Sequence, residues 1–264
     1  MLDAVFERYD IFLFAFIRMT GFVIFNPALG RRNIPAPARG AIALVLAVAA
    51  AAAIAENPEI AALQIVEAGN MLVFIVLAIK EFIFGYLLGL VVNLFFSIAV
   101  VGGEMMDLQI GLSMSKLFDP ASNVQMPLTG NFFNIAFMAL FFITNSHLTL
   151  VGIMFLSFGI SPVGLTSFNP EVGLYLARLF SEMFILGMKL AMPIMAAELT
   201  MEISVGILMR AVPQINIFVV GLQLKIMAGM GVMLICAPVS VWFFDGVLNR
   251  MNQSALDALK VLTG

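Results

Sequence analysis

Six long apolar runs, separated by short polar segments, set the pattern of this 264-residue chain. A helix needs about 20 residues to cross the hydrocarbon core of a bilayer, and several of the runs are longer than this. Excess length indicates tilt, kinks or helix that continues beyond the membrane. The pattern predicts an all-α membrane protein with about six long, kinked helices, the last two of which form a helical hairpin. The runs lie at roughly residues 11–28, 40–55, 70–101, 131–158, 174–209 and 215–244.

The composition agrees with this class and excludes several others. The chain is 62% hydrophobic and 11% charged, whereas soluble domains are about half apolar and a quarter charged. A net charge of −3 without any basic run argues against binding to nucleic acid. The single histidine, His147, has no second histidine with which to hold a metal, and no nucleotide-binding or nucleophile motif occurs. The sequence therefore predicts no cofactor and no enzymatic activity.

The connection between the third and fourth runs, residues 102–130, is predicted as a long loop containing many Met, Leu, Ile and Phe residues. Such residues argue against disorder, and backbone without regular structure cannot face lipid. The loop must therefore be enclosed by protein or line a cavity. One interpretation is a deformable methionine-bearing seal in a pore; the other is a re-entrant loop packed on its own helices, with no moving part. Its candidate site residues are Glu104, Met105, Met106, Asp107, Gln109, Met114, Phe118 and Asp119.

The last two runs carry charges in their middle and join through a short polar turn. A charge at the centre of a membrane helix costs roughly 2.5–3.5 kcal/mol on insertion scales, so it rarely faces lipid. Because the turn is centred near Val212, Lys225 is predicted to reach Glu198 or Glu202 on the returning helix. Any charge left unpaired needs a partner on another subunit. The alternative to structural ion pairing is that the two glutamates relay protons. The candidate residues of the turn and the charged helices are Glu198, Glu202, Arg210, Pro213, Gln214, Asn216 and Lys225.

Further ionisable residues and small residues lie inside the apolar runs. Arg18 is in the first run, and Lys80 and Glu81 are adjacent in the third. Adjacent residues point about 100° apart on a helix, so this pair needs separate partners. Gly85 and Gly89 follow at a four-residue spacing that lets helix backbones approach closely. We therefore predict a close helix contact at these glycines.

Several motifs together make a specific combination. The Gly-Glu…Gln-x-Gly…Asp-Pro segment and the Arg-x-x-Pro-Gln turn are specific when they occur jointly. The segments that carry the combination are Asn26-Pro27-Ala-Leu-Gly-Arg-Arg-Asn-Ile34-Pro35 with Arg39, Gly103-Glu104 through Asp107, Gln109 and Gly111 to Asp119-Pro120, and Arg210-Ala-Val-Pro213-Gln214-Ile-Asn216 with Gly221. With these residues the chain resembles the FliR family of flagellar type III protein export along nearly its whole length.

The resemblance implies a subunit of the export gate in the bacterial inner membrane, within the flagellar basal body. It implies FliP, FliQ, FlhB and FlhA family proteins as partners, unfolded export substrates as cargo, and helices that contact these neighbours more than membrane lipid. Residues 1–165 would form an N-terminal, FliP-like helical part that includes the plug loop 102–130. Residues 166–264 would form a FliQ-like hairpin. By the same resemblance, residues 103–126 would close the channel, and the turn from Arg210 to Asn216 would face its cytoplasmic entrance.

Two other functions remain open from the residues alone. A secondary transporter or proton channel would use the intramembrane residues Glu198, Glu202 and Lys225. A purely structural assembly scaffold would have no contact with cargo. Within the export-gate hypothesis, three methionines are predicted to contact FliP-type neighbours: Met105, Met106 and Met114.

Overall fold

The computed structural model is almost entirely helical in the part of the chain that it describes. That part contains seven α-helices, one 3₁₀ turn at Leu112–Met114 and no strand, which confirms the predicted all-α fold. The described residues are 9–31, 33–57, 60, 64, 70–114, 127–212 and 217–263. The helices are α1 (Tyr9–Phe25), α2 (Ala36–Glu56), α3 (Met71–Ile110), α4 (Leu128–Ile143), α5 (Ser146–Ile160), α6 (Val172–Ala211) and α7 (Ile217–Thr263).

Four of these helices, α2, α3, α6 and α7, are long and apolar enough to cross a membrane. A fifth span is present if α4 and α5 cross together. Helices α3 and α6 have 40 residues each, and α7 has 47. At 1.5 Å per residue, 40 residues extend about 60 Å, roughly twice the thickness of the hydrocarbon core. The excess length predicted from the apolar runs is therefore present.

The fourth apolar run is two helices and not one. Helices α4 and α5 are bent by 67° at the short break between them. Asn145 lies at this break with a φ of 57°, in the left-handed region that asparagine tolerates better than most residues. Its carbonyl oxygen accepts a hydrogen bond from the N–H of Leu148 at 2.9 Å, which starts α5. The apolar pattern misses the bend because large hydrophobic residues continue on both sides of a polar stretch only a few residues long.

The prediction of a loop over residues 102–130 is wrong at both ends. Helix α3 continues to Ile110, and α4 begins at Leu128. Gly111, with a φ of 91°, ends α3. Residues 115–126, which include Phe118 and Asp119, lie outside the described part of the chain. The predicted plug residues that lie on helix α3 are Glu104, Met105, Met106, Asp107 and Gln109, while Met114 lies in the 3₁₀ turn.

Two adjacent glycines explain why the helix was missed. Gly102 and Gly103 favour a loop by propensity, yet both lie within α3. A Cβ on Gly103 would collide with the backbone of Gly130 in α4, and a Cβ on Gly102 would lie 2.9 Å from the carbonyl oxygen of Gly187 in α6. The glycines therefore serve close helix packing and do not interrupt the helix.

The chain divides into two compact units, each built from several segments. The first comprises Met1–Leu94, Thr144–Leu179 and Asn249–Gly264, and the second comprises Phe95–Ile143 and Phe180–Leu248. Each unit takes residues from both of the parts, 1–165 and 166–264, that the resemblance implies. The division into FliP-like and FliQ-like parts stays a prediction.

The first unit is held together where α1 meets α3. A Cβ on Gly21 of α1 would collide with the carbonyl oxygen of Phe82, and a Cβ on Gly85 of α3 with that of Arg18. One turn later, a Cβ on Gly89 would lie 3.0 Å from the carbonyl oxygen of Phe22. The close contact predicted at Gly85 and Gly89 is thus confirmed. Between these backbones there is no room for any side chain.

The second unit has an aromatic core between the C-terminal half of α3, α4 and α7. Phe96 packs edge-to-face against Phe137 and Phe141, with ring centroids 4.8 and 5.6 Å apart. Phe244 of α7 meets Phe137 at 5.2 Å and Phe133 at 5.8 Å. Edge-to-face pairs of this kind add about 0.5–1.5 kcal/mol each beyond the area that they bury. The core fixes α4 against α3, close to the predicted plug segment.

Candidate functional site

The second unit brings the end of α3 against the charged middle of the α6–α7 hairpin. A Cβ on Gly229 of α7 would lie 2.5 Å from Ile110 Cγ1 and 2.8 Å from Glu198 Oε1. A Cβ on Gly111 would lie 2.9 Å from Leu222 Cδ1. The last residues of α3 therefore rest on the same stretch of hairpin that carries the intramembrane charges. We call the residues Ile110, Glu198 and Gly229 the Glu198 pocket.

The two glutamates of α6 have different surroundings, although they are one helical turn apart. Glu202 forms an ion pair with Lys225, whose Nζ lies 3.5 Å from Glu202 Oε1. This is one of the two pairings predicted from the hairpin. The Lys225 side chain is 24% exposed and that of Glu202 60% exposed in the isolated chain. Glu198 is 0% exposed, and among the described residues neither of its carboxylate oxygens has a hydrogen-bond partner.

An apolar groove lies beside the hairpin in the second unit. Its lining residues include Met106, Phe133, Pro193, Met233 and Phe243. Met106 is buried within this chain, so its side chain already has its packing partners here. Of the three methionines predicted to meet a neighbour, Met105 is the one that the structure describes as half-buried.

Asp107 holds the start of α4. Its side chain is buried, and both carboxylate oxygens lie 3.3 Å from the backbone nitrogen of Thr129, which donates to them. The Thr129 hydroxyl donates a second, short hydrogen bond to Asp107 Oδ1. A carboxylate at a helix N-terminus satisfies free N–H groups and stabilises the helix dipole. Asp107 thus ties the end of α3 to the start of α4. In contrast, Glu104 is exposed on α3.

The tip of the hairpin is only partly described. Arg210 is exposed in the last turn of α6. The predicted turn residues Pro213, Gln214 and Asn216 lie outside the described part of the chain.

A buried ion pair in the first unit was missed by sequence reasoning. Arg18 of α1 is 0% exposed and donates from Nε to Glu81 Oε2 of α3 at 2.6 Å. Its terminal nitrogens donate to Ser157 Oγ at 3.1 Å, to Ser161 O at 2.9 Å and to Thr166 Oγ1 at 3.4 Å. The Thr166 hydroxyl in turn donates to Glu81 Oε1 at 2.6 Å. We call these five residues the Arg18 network.

The guanidinium of Arg18 is also enclosed by aromatic rings. Its central carbon lies 4.5 Å from the ring centroids of both Phe84 and Phe158. Cation–π contacts of this kind strengthen when water is excluded. The only signal in the sequence was an unexplained cation and an unexplained carboxylate in two apolar runs, 63 residues apart. Their serine and threonine partners lie still further along the chain.

A family model described as bacterial export proteins, family 1, matches residues 10–251. Flagellar biosynthetic protein FliR of Bacillus subtilis (strain 168) is 32% identical over 242 residues, covering 90% of each chain. The chain belongs to the FliR family. A second FliR family relative, flagellar biosynthetic protein FliR of Escherichia coli (strain K12), is 26% identical over 99% of both chains. The surface presentation of antigens protein SpaR of Shigella flexneri is 31% identical over 64% of this chain and 67% of its own.

The FliR family match covers both structural features described above. Residues 10–251 contain the whole Arg18 network and the Glu198 pocket. The all-α membrane-type fold and the resemblance drawn from motifs agree with this membership.

Proposed function

We propose that this chain is a core subunit of a flagellar protein-export gate, which forms with FliP-type and FliQ-type neighbours the channel through which unfolded flagellar proteins leave the cytoplasm across the inner membrane. Membership of the FliR family supports a part in an export apparatus. The match to two relatives named for flagellar biosynthesis covers 90% and 99% of this chain, against 64% for SpaR. Because the relatives that match over 90% and 99% of the chain are named for flagellar biosynthesis, we infer a flagellar apparatus.

One observation supports the proposal that this chain assembles with neighbouring subunits. Charged and apolar residues lie together on the exposed surface of α6 and α7. Only 6% of the most apolar stretch of α7 is buried inside the chain, and Trp242 is 81% exposed. Lipid could cover such a surface, but Glu202 and Lys189 are exposed on α6, within a candidate span. Charges inside a span face protein or a water-filled cavity and rarely lipid. Neighbouring subunits satisfy both requirements.

The closing element is proposed within residues 103–126. The Asp107–Thr129 contact and the close approach of Gly103 to Gly130 support this role. These contacts fix the end of α3 to the start of α4, so the described residues on both sides of the proposed closing element are anchored in the second unit. FlhB-type and FlhA-type proteins would join the same gate, and energy would come from other components.

Lys225→Met is expected to impair assembly of the gate. The substitution leaves the Glu202 carboxylate without its partner inside a membrane span, where an uncompensated charge is costly. The measurement is the yield of hetero-oligomer purified in mild detergent. Lys260→Met is the matched control, because Lys260 pairs with Asp257 on an exposed surface and such pairs contribute less than about 1 kcal/mol. Equal yields for both variants would contradict the pairing argument.

A shortened closing segment is expected to make the membrane permeable to ions. Deleting residues 115–122 leaves Asp107, Thr129 and both helix ends in place. The measurement is ion flux through the assembled complex in liposomes. Replacing the same residues by an equally long Gly-Ser stretch tests whether the size of the side chains or only the length of the segment closes the pore. An assembled complex that stays tight in both variants would favour a scaffold without a gate.

A proton channel or secondary transporter is the second candidate, and one observation favours it. Glu198 is a fully buried carboxyl group in a candidate span, a feature common on proton pathways. Reconstitution of this chain alone distinguishes the two functions. Proton flux that is lost in Glu198→Gln indicates a channel, and flux only in the presence of FliP-type and FliQ-type subunits indicates the gate.

A further inference from the structure

We propose that Glu198 is a proton-binding site which keeps the end of α3 docked on the hairpin, and that loss of this proton releases α3. The proton-binding site is argued from contacts and burial within the second unit alone. Only its consequence for opening the channel rests on the proposed function. The proton would be held as a neutral carboxylic acid in the Glu198 pocket.

Burial and missing partners require this state. A carboxylate removed from water without hydrogen bonds is so unfavourable that such a group neutralises instead. Glu198 has 0% exposure, and neither oxygen accepts a hydrogen bond from any residue that the structure describes. By comparison, Asp107 in the same unit is equally buried but accepts hydrogen bonds from Thr129. The contrast sets Glu198 apart from a structural carboxylate.

The surroundings of Glu198 exclude a metal cation as the ligand. Hard cations need about six or more oxygen ligands, whereas Glu198 Oε1 lies beside Gly229, which has no side chain, and the same position is bordered by the apolar side chain of Ile110. Only a proton adds no volume and needs no further ligand. Among the described residues, no group of three or more Asp, Glu, His or Cys side chains could hold a metal.

The charged groups that act on Glu198 come from two helices. Lys225 lies on α7 and is paired with Glu202, which is on the same helix as Glu198. Helix α3 presents Ile110 to the pocket, and the carboxylate of Asp107, one turn earlier, is engaged by Thr129. Among the described residues, Lys225 is the cation whose charge acts on Glu198.

These positions imply an exchange of partners. Side chains at i and i+4 have Cβ atoms about 5–6 Å apart, and the flexible stem of lysine can cover that distance. When Glu198 loses its proton, Lys225 would turn from Glu202 to Glu198. The apolar contact of Ile110 with this stretch of α7 would then be replaced by a charged one. Residues 103–110 at the end of α3 belong to the proposed closing element, so their release would open the gate.

The sign of the pH dependence follows directly. The docked state binds one more proton than the released state, so raising the pH favours release. A single linked proton changes the equilibrium by up to about tenfold per pH unit. Ion permeability of the assembled gate should therefore rise with pH.

Two measurements on the purified full-length complex test the proposal. Infrared spectroscopy should show the carbonyl band of a protonated carboxylic acid, which Glu198→Gln removes and which Glu56→Gln, at the exposed end of α2, retains. Ion permeability should lose its dependence on pH in Glu198→Gln and keep it in Glu56→Gln. A band that persists in Glu198→Gln, or a pH dependence unchanged by that substitution, overturns the proposal. The infrared result does not depend on the channel function, so it fails or succeeds independently of the proposed function.

A third variant covers the case in which glutamine does not fit. Glu198→Met is uncharged, of similar length and without hydrogen-bonding groups. If Glu198 is neutral in the docked state, the methionine variant should assemble like the wild type. If Glu198 is instead an ionised partner of Lys225, the variant should lose assembly as Lys225→Met does, and the proposal is wrong.

Discussion

Arg18→Met should prevent the chain from accumulating in folded form. The substitution leaves Glu81 buried with an uncompensated charge, because Arg18 is its partner at 2.6 Å and both side chains are almost fully buried. Removing one member of a buried pair typically costs 3–5 kcal/mol, about the stability of a small domain. Thermal unfolding in mild detergent, together with the steady-state amount in the membrane, provides the measurement.

Two control variants test whether the loss of stability comes from breaking the Arg18–Glu81 ion pair or from losing any arginine. Arg178→Met makes the same change at an exposed position in the first unit and should leave unfolding nearly unchanged. The double variant Arg18→Met with Glu81→Met removes both charges, and replacing a whole buried pair by apolar residues is often neutral. Recovery in the double variant is therefore expected. A double variant that is less stable than Arg18→Met alone would refute the charge argument.

Gly85→Ala should also destabilise the first unit strongly. The added methyl group would collide with the carbonyl oxygen of Arg18 and lie 2.9 Å from the nitrogen of Phe22, both of which are backbone atoms of α1. Backbone cannot move aside as a side chain does, so α1 must shift and the Arg18 network must stretch. Overpacking of this kind costs about 1–3 kcal/mol or more. The shift in the unfolding temperature measures it.

Gly152→Ala is the matched control for this substitution. Gly152 lies in α5 of the same unit, and a Cβ there would meet nothing within 4 Å. Alanine favours a helix over glycine by about 1 kcal/mol, so this variant should be as stable as the wild type or more so. If both glycine variants unfold alike, the close contact of α1 with α3 is not what requires Gly85.

The sequence was sufficient to predict the features that depend on local pattern. Long apolar runs predicted the helices that became α2, α3, α6 and α7, because any helix in lipid must bury its backbone groups internally. The pairing of Lys225 with Glu202 followed from counting residues on either side of one short turn. The glycine spacing in α3 likewise predicted a close contact through a local periodicity.

The sequence failed where contacts between distant segments decide the structure. Gly102 and Gly103 suggested a loop, and only their packing against α4 and α6 explains why the helix continues. The contact of Asp107 with Thr129 at the start of α4 could not be predicted from local pattern, and the role of Asp107 in a plug stays a prediction. The Arg18 network could not be assembled from pattern, because its members have no common spacing.

The Arg18 network also has a consequence for the synthesis of the protein. Helix α1 emerges from the ribosome with its guanidinium, but the oxygens of Ser157, Ser161 and Thr166 follow 139–148 residues later. At about 5–20 residues per second, this delay lasts roughly 7–30 s. During that time the guanidinium of Arg18 has only some of its final hydrogen-bond partners. We expect α1 to reach its final packing only after residues 157–166 have been made, so that a helix translated early becomes fixed late.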